Sequence, residues 1–378
     1  MTDGKDLKRL VRQRMAKTGE SYTTALAHFR PKGQERSPID DLRDAIYTRT
    51  GIDELGSHLE ARYGIEVAKL TELDVGVYRV ARHDGPAWVA RVFPARRPLR
   101  ETELDADVLR HVAHHGVPAE RCAHHEPVSM LDGQAVLVTE LLVGTNGRSE
   151  TTAAALQRLG DLLGRVHALP AMAATRDAGS WHLLAMEGGG SRADVDALLP
   201  LLEATGASAD VAPLVERLRA IDHCDDLPHL LTHPDPVGAN AIVSPYGEPA
   251  LIDWTGAGHG ARLLAFAALV SGSLQPQPSP RFSSELDRVD AVVDGYRTHA
   301  APLTDAELTR LPAALVRGTI VLGAWMFLFQ DLPIDELLAW IADADRMAGP
   351  TAARVEEAFD REIEEPPATV HPGQGTLL

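Results

Sequence analysis

The chain has 378 residues, 44% of them hydrophobic, which is enough for the cores of two or three domains or lobes. Its 54 acidic and 37 basic residues give a net charge of −17. This charge argues against nucleic-acid binding by the chain as a whole and would suit a cationic small-molecule substrate. The two cysteines are far apart and belong to no CxxC motif, so we expect a protein of the reducing cytoplasm.

Two apolar regions raise the question of export or membrane insertion. The first apolar residues of the chain are interrupted by lysines and arginines at positions 8 to 14, a pattern unlike that of a secretory signal peptide. The later apolar stretch, residues 313–329, contains Arg317 and is too short for a membrane span. We therefore predict a buried helix there and no association with a membrane.

Residues 1–36 form a basic segment at the start of an acidic chain. Lysines and arginines crowd positions 5 to 17 opposite apolar residues at helical spacing, and Pro31 follows a second short helical pattern. The pattern predicts a basic helical arm that packs on the protein's own acidic body, on a second copy in a homodimer or on a partner. Nucleic-acid contact through this arm alone is the alternative, and it would be steeply salt-dependent. At the other end, the Pro/Gly/Thr-rich tail at residues 366–378 is expected to be flexible.

A change from helical to alternating periodicity marks the start of a β-rich region. After a helical pattern at residues 39–63, alternating residues at 72–80 and 87–93 flank a turn at residues 83–86, which predicts a β-hairpin. The second strand carries Arg91 in a Val-Ala-Arg-Val run. Arg91 is interpreted either as an exposed strand residue or as a ligand for phosphate or carboxylate.

The next helix is predicted at about residues 101–114, with acidic residues in its first turns. Asp105 shares a face with apolar residues of this helix, and Glu101 lies one turn earlier. Near the end of the helix, His111 and His115 stand four residues apart, close to Cys122 and further histidines, so a zinc site is one interpretation. Surface or capping histidines are the preferred one, because no carboxylate machinery accompanies them.

Further apolar segments follow. Residues 135–144 are predicted to form a buried strand that leads into a short connector, and residues 156–170 a helix that contains His167, interpreted as a structural histidine. Amphipathic patterns predict three late helices that would form the wall of a substrate pocket, at residues 285–299, 305–316 and 334–347.

The most informative stretch is His233–Asn240, which has the pattern H-x-D-x-x-x-x-N and is followed closely by Leu251-Ile252-Asp253-Trp254. Phosphoryl transfer requires this set of side chains. One Asp orients or deprotonates the attacking hydroxyl, while an Asn and a second Asp hold the metal ions that bridge the nucleotide phosphates. Taken alone, the same polar residues could instead serve only turns and caps.

The order and spacing of these segments resemble the aminoglycoside phosphotransferase family of small-molecule kinases, with Asp253-Trp254 in place of the Asp-Phe-Gly of protein kinases. The resemblance covers about residues 65–270. It implies an α+β, protein-kinase-like two-lobed fold. A small β-rich N-lobe at residues 37–140 would precede a larger, mainly helical C-lobe at residues 141–365, with the arm as an extra segment.

The resemblance also implies roles for the residues of the paired loops. Asp235 would orient or deprotonate the acceptor hydroxyl, and His233 would brace the catalytic loop through hydrogen bonds. Asn240 and Asp253 would bind Mg²⁺. The implied reaction moves the γ-phosphate of ATP or GTP to a hydroxyl of a small molecule, such as an aminoglycoside or another antibiotic or metabolite.

In the N-lobe, the resemblance implies that Arg91, held by Asp105, steadies the nucleotide phosphates. Glu101 and Glu103 compete with Asp105 for this role, because Asp is one methylene shorter than the usual Glu.

The strand that ends near residue 140 would be the hinge between the lobes. The resemblance implies that Thr139 guards the rear of the nucleotide pocket and that backbone groups of Glu140 and Leu142 bond the purine edge.

The sequence departs from the family pattern in the catalytic loop, where Pro234 and Pro236 flank Asp235. Two prolines fix two φ angles and remove two N–H donors. They either pre-organise Asp235 or mark a kinase-like pseudoenzyme that binds a nucleotide or a partner without phosphoryl transfer.

Overall fold

The structure, a computed structural model, describes residues 38–149, 152–172, 176–178, 190–204, 210–275, 284–330 and 332–361. The predicted basic arm at residues 1–36 and the predicted flexible tail at residues 366–378 lie outside these ranges. Within them, a β-rich N-lobe precedes a mainly helical C-lobe.

The N-lobe contains three helices and five strands. Its helices are α1 (Pro38–Tyr47), α2 (Leu55–Tyr63) and α3 (Leu99–His114). Its strands are β1 (Val67–Asp74), β2 (Val77–Arg82), β3 (Trp88–Val92), β4 (Val128–Leu131) and β5 (Gln134–Glu140). The strands form one antiparallel sheet in the order β1-β2-β3-β5-β4.

The predicted hairpin between β2 and β3 is present, but the predicted strand at residues 72–80 is wrong. That segment contains the end of β1, a turn, and the start of β2. Gly76 in the turn has a φ of 73°, a left-handed conformation that glycine adopts without a steric cost. The chain therefore reverses at a point where the alternating pattern continues without a break.

Helices cover both faces of the sheet, because successive residues of a strand point to opposite sides. Val136 of β5 is buried in a cluster with Leu59 of α2. Its neighbour Leu137 is buried with Leu109 of α3, in a cluster that also contains Trp254 of the C-lobe. The second cluster therefore joins the N-lobe to the region that follows Asp253.

Helix α1 packs on the C-lobe, although its position in the chain had placed it with the N-lobe. Its Ile46 belongs to a buried cluster of C-lobe helices that includes Trp325, and the rings of Tyr47 and Trp325 meet edge to face at 6.1 Å. Just beyond the helix, Gln134 of β5 donates hydrogen bonds to the carbonyl and hydroxyl oxygens of Thr50. This segment therefore connects the two lobes a second time.

The C-lobe consists of seven described helices and two small sheets. The helices are α4 (Ala153–His167), α5 (Gly190–Ala204), α6 (Ala212–Arg219), α7 (Arg262–Leu274), α8 (Asp287–Tyr296), α9 (Asp305–Gln330) and α10 (Ile334–Asp360). One sheet contains β6 (Thr145–Asn146), β8 (Ala241–Val243) and β9 (Pro249–Leu251), and the other pairs β7 (His229–Thr232) with β10 (Gly258–Ala261). Helix α9 joins the two segments that were predicted as helices at residues 305–316 and 313–329. Helix α10 is longer than its predicted range of 334–347, since it continues through Pro350.

Helix α9 is the one helix in the described ranges that is long and apolar enough to cross a membrane. Its apolar residues instead pack into two clusters of the C-lobe, through Leu311 and Leu315 in one and Ile320 and Trp325 in the other. In this structure α9 is a core helix, as the sequence predicted.

His167, at the end of α4, is also part of the core. Its Nδ1 lies 2.8 Å from the hydroxyl of Tyr296, and burial lowers the pKa of His167 to about 3. A neutral, buried imidazole bonded to a tyrosine has a structural role.

Candidate active site

The two predicted loops lie side by side between the lobes. Strand β7 leads into His233, a short helical turn at Gly238–Asn240 leads into β8, and Asp253 lies two residues after β9. The Ile252 N–H donates to the carbonyl of Asn240 over 2.9 Å, which ties the two loops together. The β8–β9 pairing thus brings together residues that were predicted to act jointly.

His233 is fully buried and braces the catalytic loop. Its Nδ1 accepts the N–H of Asp235 over 3.1 Å, and its Nε2 lies 3.0 Å from the carbonyl of Ile252. A neutral ring with its proton on Nε2 satisfies both bonds. Burial lowers the pKa of His233 to about 4, so the ring stays neutral at physiological pH. The ring also meets Trp254 edge to face at 4.8 Å.

Asp235 is the carboxylate best suited to proton transfer. Burial and the nearby Asp253 carboxylate raise the pKa of Asp235 to about 6, while a hydrogen bond from Asn240 opposes the rise. A general base is most effective when its pKa lies near the working pH. Asp235 keeps its N–H between Pro234 and Pro236, and that N–H is the one that His233 accepts.

Asn240 holds Asp235 in place. Its Nδ2 donates to the Asp235 backbone oxygen over 3.0 Å and to its Oδ2 over 2.8 Å. Both bonds use the amide nitrogen, so Oδ1 is the atom of Asn240 suited to a metal ion.

The side chain of Asp253 faces Arg91 of the N-lobe. It adopts a φ of 65°, uncommon for a residue with a side chain and frequent at functional sites. Its Oδ1 accepts a 2.7 Å hydrogen bond from Arg91 of β3. Burial alone would lower the pKa of the Arg91 guanidinium, but Asp253 and Glu120 together hold it above its ordinary value.

The predicted pairing of Arg91 with Asp105 is wrong. Asp105 is fully buried and is engaged by two other arginines, with Arg97 at 2.8 Å and Arg176 closer still. It also accepts the N–H of Gly256 over 3.2 Å. Asp105 therefore links α3 to the loop after Asp253, while the ion pairs of Arg91 are with Asp253 and Glu120.

The competing carboxylates do not hold Arg91 either. Glu101 pairs with Arg176 at 2.9 Å, and the exposed Glu103 lies 3.9 Å from Arg100.

Glu120 also lies close to Arg91, on the N-lobe side. It was not predicted from the sequence. Its Oε1 lies 3.5 Å from Arg91 and accepts the N–H of Asp253 over 2.7 Å. Its Oε2 accepts the hydroxyl of Thr139 over 3.1 Å. Glu120 lies in an irregular segment after α3, where no periodic pattern marks it. Its position two residues after Pro118 was the one available signal.

Two of the predicted hinge residues, Thr139 and Glu140, are the last residues of β5, and Leu142 lies two residues beyond the strand. Thr139 is fully buried and bonded to Glu120. The Glu140 N–H donates to the carbonyl of Arg121 over 2.8 Å, and the Leu141 N–H donates to the carbonyl of Ala87 over 3.1 Å. Of the backbone groups predicted to bond a purine, the Glu140 N–H is therefore already used within the protein, and Leu142 is half-buried next to it.

The side chains present fit a magnesium ion. Carboxylate and amide oxygens are the ligands that Mg²⁺ prefers, and it usually takes few of them from the protein. Asp253 is 43% exposed, and Asn240 offers Oδ1. The described residues contain no group of three or more His, Cys, Asp or Glu side chains able to hold a metal ion by themselves. A magnesium ion here would take its remaining ligands from nucleotide phosphates and water.

The histidine cluster gives the zinc interpretation no support. His111 Nε2 lies 3.1 Å from the carbonyl of Pro170, and His115 Nδ1 lies 2.9 Å from the carbonyl of His111. The structure assembles no third ligand around them in the ranges it describes.

A β-rich N-lobe above a helical C-lobe, with Asp235, Asn240 and Asp253 between them, is the arrangement of a kinase-like phosphotransferase. A model of the phosphotransferase enzyme family matches residues 72–302, and the chain belongs to this family, as the resemblance predicted. The sequence matched none of the curated proteins with which it was compared.

Solved structures share the fold at low sequence identity. An amicoumacin kinase in complex with AMP-PNP and Ca²⁺ is 16% identical, with a TM-score of 0.55, over 80% of this chain and 93% of that chain. A choline kinase from Streptococcus pneumoniae is 13% identical, with a TM-score of 0.53, over 80% and 98%. An aminoglycoside phosphotransferase from Alicyclobacillus acidocaldarius is 12% identical, with a TM-score of 0.54, over 87% and 98%. These likenesses confirm the predicted two-lobed, protein-kinase-like fold.

Proposed function

We propose that this protein transfers the γ-phosphate of ATP or GTP to a hydroxyl group of a small molecule. The observation that carries the proposal is the position of Asp235. It lies in the wall of a cavity of about 920 Å³ in the C-lobe, and its pKa is raised to about 6. A hydroxyl compound in this cavity would meet the carboxylate that is best suited to accept its proton.

Other residues of the site position Asp235 and provide positive charge for the phosphates. Asn240 orients the Asp235 carboxylate through its amide nitrogen, and His233 fixes the Asp235 backbone. Arg91 supplies positive charge next to Asp253, where the phosphates of a bound nucleotide would lie. When bound, Mg²⁺ would neutralise phosphate charge and align the transferred group. Positioning and electrostatic stabilisation supply most of the catalysis in phosphoryl transfer.

The free thiols of Cys122 and Cys224 suit a reducing compartment that contains nucleotides, so we also propose a cytoplasmic location. A role in antibiotic resistance would follow only if the acceptor is an antibiotic, because function depends on the site and not on the fold.

The experiment has two stages. Thermal-shift titrations with ATP and GTP, with and without Mg²⁺, measure nucleotide binding. Phosphate transfer is then assayed over aminoglycosides, macrolides, amino alcohols and sugars. Transfer to a hydroxyl that disappears in Asp235→Asn supports the proposal. Metal-dependent nucleotide binding without transfer to any acceptor would instead identify a pseudoenzyme.

A further inference from the structure

The C-lobe cavity has a lining that restricts the kind of acceptor it can hold. It extends from the catalytic loop at His233 and Asp235 to Trp340 of α10, and its volume is about 920 Å³. Ligand pockets of this size hold molecules as large as typical drugs. The inference rests on the proposed function, because it concerns the acceptor of the same reaction.

Two helices present continuous stripes to the cavity. On α9 the lining residues are Leu315, Thr319, Leu322 and Met326, spaced by four, three and four residues, so they share one face of the helix. On α7, Leu264, Ala268 and Ser271 repeat the same spacing. Leu322 and Met326 are only half-buried, which leaves apolar surface for a ligand to cover.

Charged side chains on one wall of the cavity interact with each other. Arg192 and Asp225 form an ion pair of 2.8 Å. Arg317 donates to the carbonyl of Ser191 over 2.5 Å. Burial lowers the pKa of Arg317, and the Asp194 carboxylate opposes that fall. These two carboxylates therefore already face arginines.

The catalytic end of the cavity also carries positive charge. Arg148 lines it together with Asp235, and its backbone N–H is held by Asn146 over 2.9 Å. The turn at Gly147 packs directly on Gly238 of the catalytic loop. The cavity lining at this end therefore contains an arginine as well as the Asp235 carboxylate.

The carboxylates that remain for a cationic ligand lie at the exposed rim. Asp177 and Glu336 line the cavity and are both exposed to solvent. Each could receive an amino group in water, where an ion pair contributes little. A ligand with many amino groups would have to bury others against leucine side chains, where an unpaired charge is strongly unfavourable.

We propose that the acceptor is a bulky alcohol with a mainly apolar skeleton and few positive charges, not a polycationic sugar. Its skeleton covers the stripes on α7 and α9, its reacting hydroxyl meets Asp235, and an amino group, if it has one, lies at the rim.

The test measures binding without turnover. Calorimetric titrations in the absence of nucleotide compare two probes, erythromycin as a bulky apolar polyol with a single amino group and kanamycin as a polyol with several. The apolar probe is expected to bind at least about tenfold more tightly, a difference smaller than burial of one large apolar side chain supplies. Tighter binding of kanamycin, or no binding of erythromycin, overturns the proposal.

Variants on α9 locate the binding. Leu322→Gln and, separately, Met326→Gln are expected to weaken erythromycin binding about tenfold. Ala313→Gln is the matched control, because Ala313 is exposed on the opposite face of α9 and should leave binding unchanged. Nucleotide-induced thermal stabilisation shows that each variant is folded. Equal affinities in all three variants contradict the proposal, and the phosphotransferase function is then judged separately by nucleotide binding and phosphate transfer.

Discussion

Arg91 of β3 donates a hydrogen bond of 2.7 Å to Asp253, which lies two residues after β9. This bond joins the N-lobe sheet to the loop of the C-lobe that carries Asp253. Arg91 lies in the second strand of the predicted hairpin, but its carboxylate partners are Asp253 and Glu120, at 2.7 and 3.5 Å. The arginine therefore sets the charge of the site at which Mg²⁺ and the nucleotide phosphates would meet.

Replacing Arg91 tests this arrangement. Arg91→Met is expected to raise KM for the nucleotide by about 10- to 100-fold, because a charge-assisted hydrogen bond contributes about 1.5–3 kcal/mol. Arg91→Lys should recover part of the loss, since it restores the charge without the forked geometry. Arg79→Met, an exposed position on the neighbouring strand, is the control. Equal KM values for wild type and Arg91→Met would contradict a role for Arg91 at the phosphates.

Asp235→Asn tests the proposed base. The variant keeps the size and the hydrogen bond from Asn240 but cannot accept a proton. We expect kcat to fall by about 10²- to 10⁴-fold, with little change in nucleotide-induced thermal stabilisation. Asp226→Asn, at an exposed carboxylate paired with Arg310, should retain full activity. Full activity in Asp235→Asn would show that Asp235 is not the base.

The raised pKa of Asp235 predicts how activity and stability depend on pH. Below pH 6 the carboxyl is protonated and cannot act as a base, so kcat/KM should fall as the pH drops through about 6.

The stability of the folded protein depends on pH in the opposite direction to its activity. An ordinary Asp has a pKa near 3.9, so between about pH 4 and pH 6 the folded protein holds a proton that the unfolded chain has lost. Stability then decreases as the pH rises through this window. Asp235→Asn lacks this cost and should be more stable than wild type by about 3 kcal/mol at pH 8 and equal to it at pH 4. Melting temperatures measured at both pH values check this, and a lower melting temperature of the variant at pH 8 would contradict it.

The catalytic loop could be predicted from the sequence because its members are close together in the chain. His233, Asp235 and Asn240 fall within one turn-rich segment, and Asp253 follows across a short hairpin, so local pairing alone brings them together. The alternation of apolar residues likewise predicted β3, and a continuous apolar run predicted β5.

The partners of Arg91 and Asp105 could not be predicted, since they depend on contacts between distant segments. Glu120 and Arg176 lie in irregular stretches that no periodicity marks. The burial of Asp105 between Arg97 and Arg176 follows from how α3 packs against the loop after Asp253. The cavity at Asp235 was predicted only in part. The late helices α9 and α10 line it as expected, but α7 takes the place expected for α8, because the lining depends on how helices from separate parts of the C-lobe pack.

Glu120→Gln tests the residue that sequence patterns did not reveal. Glutamine keeps the shape of the side chain but lacks the charge that faces Arg91. Its amide nitrogen would also lie near the Asp253 N–H or the Thr139 hydroxyl, which now donate hydrogen bonds to Glu120. We expect a loss of stability of about 1–3 kcal/mol and a higher KM for the nucleotide, measured by thermal unfolding and kinetics. Glu126→Gln removes a solvent-exposed ion pair with Arg62 and should change stability far less. Equal stability of the two variants would argue against Glu120 as the residue that organises the site.

The close approach of two glycines gives a test of the catalytic loop that removes no reactive group. Gly238 lies against Gly147, and a Cβ added to Gly238 would come within 2.7 Å of the Gly147 carbonyl oxygen. Both segments are held by further bonds, since the Asn146 side chain donates to the carbonyl of Ala239 over 2.8 Å. Gly238→Ala must therefore shift the loop between Asp235 and Asn240.

A shift of about 1 Å in such a loop can lower the rate by about 10²-fold. Gly238→Ala should lower kcat by roughly that factor while the protein stays folded. Gly349→Ala, in α10, meets no atom within 4 Å other than those of its chain neighbours and should leave kcat unchanged. Activity and melting temperature are measured for both variants. An active Gly238→Ala variant would mean that the loop tolerates displacement and that Asp235 does not depend on the packing at Gly147.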